Sequence, residues 1–238
     1  MNRLGTPRLH LRETTSTNDR ARALAAAGAP HGTLVTAAAQ SAGRGRQGRT
    51  WSAPPGRALL CSLVLRDAAA APFLPLVAAV AVAEACGPAA QIKWPNDVLL
   101  DGRKVAGILA EARPQEGWAV LGIGLNVAVR VEDLPEELRA TAATLGRDPA
   151  DVEPLLADLL AALERTLALA PADVLDAWRA RDALTGREIS WSGGRGTAAG
   201  IDGEGRLVVE LADGGRTALD AGEVHLARDS GDSPRSGA

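Results

Sequence analysis

Residues 41–51, SAGRGRQGRTW, space Gly43, Gly45 and Gly48 as G-x-G-x-x-G, the spacing of a dinucleotide-binding turn. That turn works only where its last glycine opens a helix whose N-terminus meets a pyrophosphate beside a parallel sheet. Here Gly48 is followed by RTWSAPPGRA, and Pro54-Pro55-Gly56 forbids the helix. A doubly wound nucleotide fold is thereby set aside. What remains is bare backbone that lets a ligand come close, carrying Arg44, Arg46 and Arg49, whose guanidinium forks suit carboxylate or phosphate oxygens. Alone, the segment also reads as a solvated surface loop.

The flanking sequence says what fold holds this loop. Strand RLHLRE, a helix opened by a Ser/Thr cap in TSTND and stopped by Gly28 and Pro30, and strand GTLVTAAAQ precede it. Strand ALLCSLVLR, a largely buried helix at about residues 73–86 closed by Gly87-Pro88, and the short strand QIKW follow. DVLLDGRKVAGILAEA reads as two strands turning at Asp101-Gly102, a pair suited to a tight hairpin, and WAVLGIGLNV completes the sheet. Residues 151–183 show leucines at helical spacing with a break at Pro171. These elements describe an α+β fold, a mixed, mostly antiparallel sheet flanked by helices. From about Gly186, short alternating runs separated by turns such as IDGEG and ADGG indicate a small β-barrel or sheet of its own. The expected domains are residues 1–184 and 185–228, with a polar tail, 229–238, expected to be disordered.

At 238 residues and 46% hydrophobic content the chain can bury a sizeable core. A net charge of -3 and only 3% aromatic residues argue against general nucleic-acid binding, which needs a basic surface and stacking rings. Cys61 and Cys86 fit neither a metal-site spacing nor a disulfide framework, so a reducing, cytoplasmic setting is expected. The longest apolar stretch, APFLPLVAAVAVAEAC, is interrupted by Pro75 and too short to span a bilayer. No membrane partner is expected.

Against this background the lysines stand out: of 26 basic residues only Lys93 and Lys104 are lysine, a compact charge where arginine offers a planar fork. KWPND, residues 93–97, sets Lys93, Asn96 and Asp97 around a proline turn, and reads as a ligand-facing turn or as a plain turn with an Asx cap. In KVAGILAE, strict alternation puts Lys104, Ala106, Ile108 and Ala110 on one face. An inward lysine calls for an anionic partner, whereas an edge lysine guards against strand addition. GIGLNV carries Asn126 beyond two glycines, a bare floor for a ligand or a twisted, bulged strand.

Together, TSTND, QSAGRGRQGRTW, KWPNDVLL, GRKVAGILAE and GIGLNV, in this order and followed by GTAAGIDGEGRLVVEL and AGEVHL, resemble the biotin protein ligases, also called biotin–acetyl-CoA-carboxylase ligases. The resemblance covers nearly the whole chain. It implies a class II synthetase-like catalytic fold with a small C-terminal SH3-like β-barrel. It also implies a reaction: biotin and ATP give biotinyl-5′-adenylate and pyrophosphate, and the biotinyl group then passes to a lysine of a biotin carboxyl carrier domain.

By that resemblance Lys104 is the catalytic lysine bridging carboxylate and α-phosphate, Arg46 helps to neutralise the same charge, and Asp97 orients Lys104 or deprotonates the incoming amine. Ser16, Thr17 and Gln40 would hydrogen-bond the ureido ring, with Gly43, Arg44 and Arg46 nearby and Gly107 permitting close approach. Lys93, Arg49, Trp51, Asn96 and Asn126 would surround the adenylate, Trp51 covering the adenine. Mg²⁺ is expected with ATP, without a dedicated metal-ligand cluster. The TSTN stretch begins by residue 15, so no repressor function is expected. The chain is expected as a monomer or homodimer. Lipoate ligases and octanoyltransferases, a biotin-sensing binding module, and a nucleic-acid-binding protein are the rival readings.

Overall fold

The computed structural model describes residues 3–66, 73–220 and 222–226. Its alternating and apolar runs up to Asn126 form strands β1 (Arg8–Leu11), β2 (Leu34–Ala37), β3 (Gly43–Arg44), β4 (Thr50–Trp51), β5 (Ala58–Arg66), β6 (Gln91–Lys93), β7 (Asp97–Leu100), β8 (Arg103–Arg113) and β9 (Trp118–Asn126). All but β3 and β4, which pair with each other, belong to one seven-stranded sheet of order β1-β2-β5-β9-β8-β7-β6. Only β1 and β2 run parallel. A strand covered on both faces needs no polar alternation, and ALLCSLVLR and WAVLGIGLN, buried almost throughout, accordingly take the centre.

Helix α1 (Thr17–Ala26) covers part of one face, its Ala21 and Ala25 packing with Val35, Val64, Trp118 and Val120. The side chains that alternate with these on β5 and β9, Leu63 and Leu121 among them, are also buried. On that side lie α2 (Leu74–Cys86), against β6, β7 and β8, and α4 (Val152–Leu167), against β5, while α5 (Pro171–Arg179) packs on α2. The four-residue helix α3 (Glu136–Arg139) lies between β9 and α4 in the chain.

Two local expectations are corrected. Ser16 occupies the N-cap of α1, but its side chain makes no capping bond. Gln40 supplies the oxygen instead, its Oε1 accepting the Thr17 N–H at 2.7 Å, so the first-turn donor is satisfied across the fold rather than by its neighbour. The alternation read for Lys104 also fails. Leu99 pairs with Lys104 but Val98 pairs with Ala106, so Val105 is an extra residue, a bulge in β8. Lys104 therefore shares its face with Gly107, the partner of Asp97, and not with Ala106 and Ile108.

The chain divides into two compact units at Ala183/Leu184. The second contains β10 (Glu188–Trp191), β11 (Gly194–Ile201), β12 (Leu207–Glu210), β13 (Arg216–Leu219) and β14 (His225–Leu226), all antiparallel in the order β13-β12-β11-β10-β14. Ile189, Ala198, Leu207 and Val209 form its small core. Gly200, at φ +91°, sits in the β11 irregularity between Ala198 and Ile201. The expected disordered tail, 229–238, lies outside the described residues.

Candidate active site

The site begins with missing side chains. On β8 and β9, Gly107 pairs with Gly124 and Leu109 with Gly122, so three of these four positions leave bare backbone on the face beside α1. The Trp51 indole rests on this floor: a Cβ added to Gly124 would lie 2.5 Å from Trp51 Cε2, and one on Gly107 would lie 3.1 Å from Trp51 Cζ3. Asn18 fills the space above Gly122 in the same way. Trp51 also packs against the cluster containing Ala58, Leu60, Val129, Leu134 and Ala142.

At the α1 end, polar groups from three elements converge. Gln40 Oε1 accepts the Thr17 N–H and lies 3.0 Å from Thr17 Oγ1. Ser62 Oγ lies 2.8 Å from Thr17 Oγ1 and 2.6 Å from Asn18 Oδ1, while Asn18 Nδ2 donates to Glu111 Oε2 at 2.9 Å. Ser16, Thr17, Asn18 and Ser62 are all buried. Gly43 must be glycine here, because a Cβ would collide with Trp51 O and come within 2.8 Å of Gln40 Nε2. Arg44, next along the loop, donates to Asp19 Oδ1 at 2.7 Å.

Cations gather at the other end. Lys104 Nζ lies 2.6 Å from Asp97 Oδ1, an ion pair of charge rather than of hydrogen-bond geometry, and 5.8 Å from the Trp51 ring centroid. Lys93 stands opposite Asp97 in the β6–β7 hairpin. Arg46 donates to Asn96 Oδ1 at 3.2 Å, and Asn96 Nδ2 donates to Ile108 O at 2.8 Å, tying the arginine loop to the KWPND turn and to β8. Arg49 closes the loop through its backbone, accepting from Gly45 N at 2.7 Å.

One short segment braces this end. Lys104 N donates to Thr141 O and Ala143 N to Lys104 O, both at 2.7 Å. The same Ala143 O accepts from Asn126 Nδ2 at 2.9 Å, and Leu145 N donates to Asn126 O at 2.9 Å. Asn126 is 4% exposed, yet its Oδ1 has no partner, and neither has the buried Trp51 Nε1. A buried acceptor without a donor is costly.

The structure thus gathers the expected residues into two groups on one face: Ser16, Thr17, Gln40, Gly43 and Arg44 by α1, and Arg46, Lys93, Asn96, Asp97, Lys104 and Gly107 by the hairpin, with Trp51 standing on the glycine floor. Asn18, Ser62 and Glu111 were missed. Ser62 carried a signal, a serine inside an otherwise buried apolar strand, and Asn18 lay within the TSTND motif. Burial pushes the Cys61 and Cys86 thiols up to about 12, which leaves no thiolate nucleophile. Among the described residues no group of three His, Cys, Asp or Glu could hold a metal ion, and no helix is long and apolar enough to cross a membrane.

Comparison with known proteins places this arrangement. Residues 11–127 match the Biotin/lipoate A/B protein ligase family, and residues 186–226 match the Biotin protein ligase C terminal domain. The chain is 40% identical to a biotin–[acetyl-CoA-carboxylase] ligase of Paracoccus denitrificans, covering 90% of this chain and 98% of that one. It is 37% identical to the Mycobacterium tuberculosis protein of the same name, covering 90% and 87%. Among solved structures, the biotin protein ligase from Aquifex aeolicus in complex with biotin and ATP aligns with a TM-score of 0.79 at 28% identity, covering 94% of this chain and 99% of that one. With its catalytic region and its C-terminal sheet both matched, the chain belongs to the biotin protein ligases of the biotin/lipoate ligase family.

Proposed function

We propose that the protein activates biotin with ATP and transfers the biotinyl group to a lysine of a biotin carboxyl carrier domain. The observation that carries this reading is Lys104, which the β8 bulge turns onto the Gly107–Gly124 floor and Asp97 holds at 2.6 Å. A carboxylate oxygen attacking the α-phosphorus brings two anions together, and fixed cations in a water-poor site lower that barrier. Lys104 and Arg46 supply them. As the carbon–oxygen–phosphorus link forms, the α-phosphate bond to pyrophosphate breaks. In the second half, the acceptor amine attacks the acyl carbon, AMP leaves with the bonding pair, and the proton that the amine gives up passes to the departing phosphate. Asp97 serves in both halves by keeping Lys104 aimed.

The polar group around Thr17 and Gln40, with Ser16 and the Gly43–Arg44 backbone, receives the ureido ring. The unpartnered Asn126 Oδ1 supports an adenine amino group at the opposite end, where Lys93, Asn96 and Arg49 meet the phosphates and ribose and Trp51 walls the slot. Among the described residues no group of three His, Cys, Asp or Glu forms a magnesium cage, and Mg²⁺ would come as the counter-ion of ATP, with no step assigned to it. The absence of repressor activity is proposed from the acidic net charge of -3, and specific operator binding at physiological salt would contradict it.

The test offers purified protein Mg·ATP with equal biotin, lipoate and octanoate, and detects acyl-adenylates by mass spectrometry. Biotinyl-AMP alone is the expected product. Lipoyl- or octanoyl-AMP would move the chain to the neighbouring activities of its family, and biotin bound without any adenylate would make it a binding module.

A further inference from the structure

Strand β8 carries one carboxylate, Glu111, which the reaction just described does not use. It stands opposite Val120, two residues beyond Leu109, on the side of the sheet facing α1. Its Oε2 accepts from Asn18 Nδ2, and its Oε1 lies 3.5 Å from Arg22 Nη1 and 3.4 Å from Arg44 Nη2. Asp19, which accepts from Arg44 at 2.7 Å and lies 3.7 Å from Arg22, completes a ring of two carboxylates and two guanidiniums. Glu111, 21% exposed, is the most covered member of the ring, whose Arg22, Arg44 and Asp19 side chains are 33%, 39% and 45% exposed.

The donor count then fixes a direction. With Nδ2 given to the carboxylate, Asn18 must turn Oδ1 toward Ser62, because the flipped amide would set oxygen against carboxylate oxygen. An amide oxygen only accepts, so at 2.6 Å the single hydroxyl proton of Ser62 belongs to Asn18. Ser62 Oγ is then left to accept, and the neighbour at 2.8 Å able to donate is the hydroxyl of Thr17. The single hydroxyl proton of Thr17 then has two protein acceptors, Ser62 Oγ at 2.8 Å and Gln40 Oε1 at 3.0 Å, and either one keeps it inside the protein. The relay runs Thr17 to Ser62 to Asn18 to Glu111, and the Thr17 oxygen keeps its lone pairs for the ligand.

We infer that Glu111 is a positioning residue that sets the direction of this relay, so that Thr17 presents an acceptor and the pocket selects a ligand bearing an N–H, such as a cyclic urea, over one without it. This rests on the proposed biotin reading and adds to it the origin of acyl-group selectivity. A site built to pair one hydrogen-bonding group discriminates far more strongly than one that only fits shape.

Glu111→Gln keeps size and removes the charge, and its amide, able to donate as well as accept, no longer imposes one direction. Biotin affinity without ATP, read by calorimetry, should fall about tenfold to a hundredfold, the range for a hydrogen bond to a charged group. KM for biotin should follow while kcat for adenylation holds. Ser62→Ala should reproduce the loss, and the Glu111→Gln/Ser62→Ala pair should lose no more than either alone. Asp19→Asn disturbs the ring of charges without touching Asn18, and should leave biotin affinity within about twofold. Additive losses, or Glu111→Gln binding biotin like the parent protein, would overturn the relay. A parent protein that neither binds nor activates biotin would instead overturn the proposed function. In that event the side-chain amide of Asn18 still decides by NMR: its Nδ2 protons should lie close to Glu111 in the parent protein and lose that single orientation in Glu111→Gln, and an unchanged amide would overturn the relay.

Discussion

Gly124 and Gly107 face the same indole but differ in what a methyl group would meet. At Gly124 a Cβ would press on the rigid ring of Trp51 at 2.5 Å, whereas at Gly107 the contacts, near 3.1 Å, include the flexible end of Lys104. Gly124→Ala is therefore expected to destabilise the fold by about 1–3 kcal/mol through overpacking, with a displaced Trp51 signal in near-ultraviolet circular dichroism. Gly107→Ala should cost less stability, yet move Lys104 and depress adenylation. Equal losses of stability in urea titrations of the two variants would contradict this. Lys104→Ala should lower kcat for pyrophosphate exchange by about 10²–10³, the range for removing one preorganised donor to developing charge. Lys104→Arg should not restore it, because Gly107 and the Asp97 contact leave room for a compact ammonium rather than a planar fork.

At the scale of elements, the source of the α1 cap makes a second contrast. Gln40→Leu removes the oxygen that serves the Thr17 N–H and should lower stability by about 1 kcal/mol, as lost caps do. Ser16→Ala should shift the urea midpoint far less, since its hydroxyl makes no capping bond. The reverse ranking would mean that the local serine caps the helix. The order of strands and helices was readable because β5 and β9 are long and apolar and Asp101-Gly102 marks its turn. Position 101 indeed takes the left-handed conformation, at φ 49°. The Gln40 cap and the Val105 bulge were not readable. A side chain 23 residues away, or one unpaired residue in a strand, leaves no mark on local periodicity, and the bulge reverses which neighbours Lys104 faces. Motif residues were legible one by one, but Glu111, Ser62 and Asn18 acquire meaning only when β8, β5 and α1 are folded together.

Across the whole molecule, the two thiols make stability depend on alkaline pH. Burial raises the Cys61 and Cys86 values from 9.0 to about 12 in the folded chain. The unfolded chain then loses these protons first, so their contribution is complete below about pH 9 and declines as pH climbs toward 12. Each thiol adds a slope of up to about 1.4 kcal/mol per pH unit in that window. Urea unfolding at pH 7.5, 9 and 10.5 should show the decline, and a Cys61→Ala/Cys86→Ala variant should flatten it. An identical slope in that variant would assign the alkaline loss elsewhere. The segment from Thr141 to Leu145 has a mechanical meaning at this scale. It is sewn to the Lys104 backbone on one side and to both the amide and the carbonyl of Asn126 on the other. The lysine that would meet the reacting phosphate and the asparagine that would read the base thus hang from one crossbar.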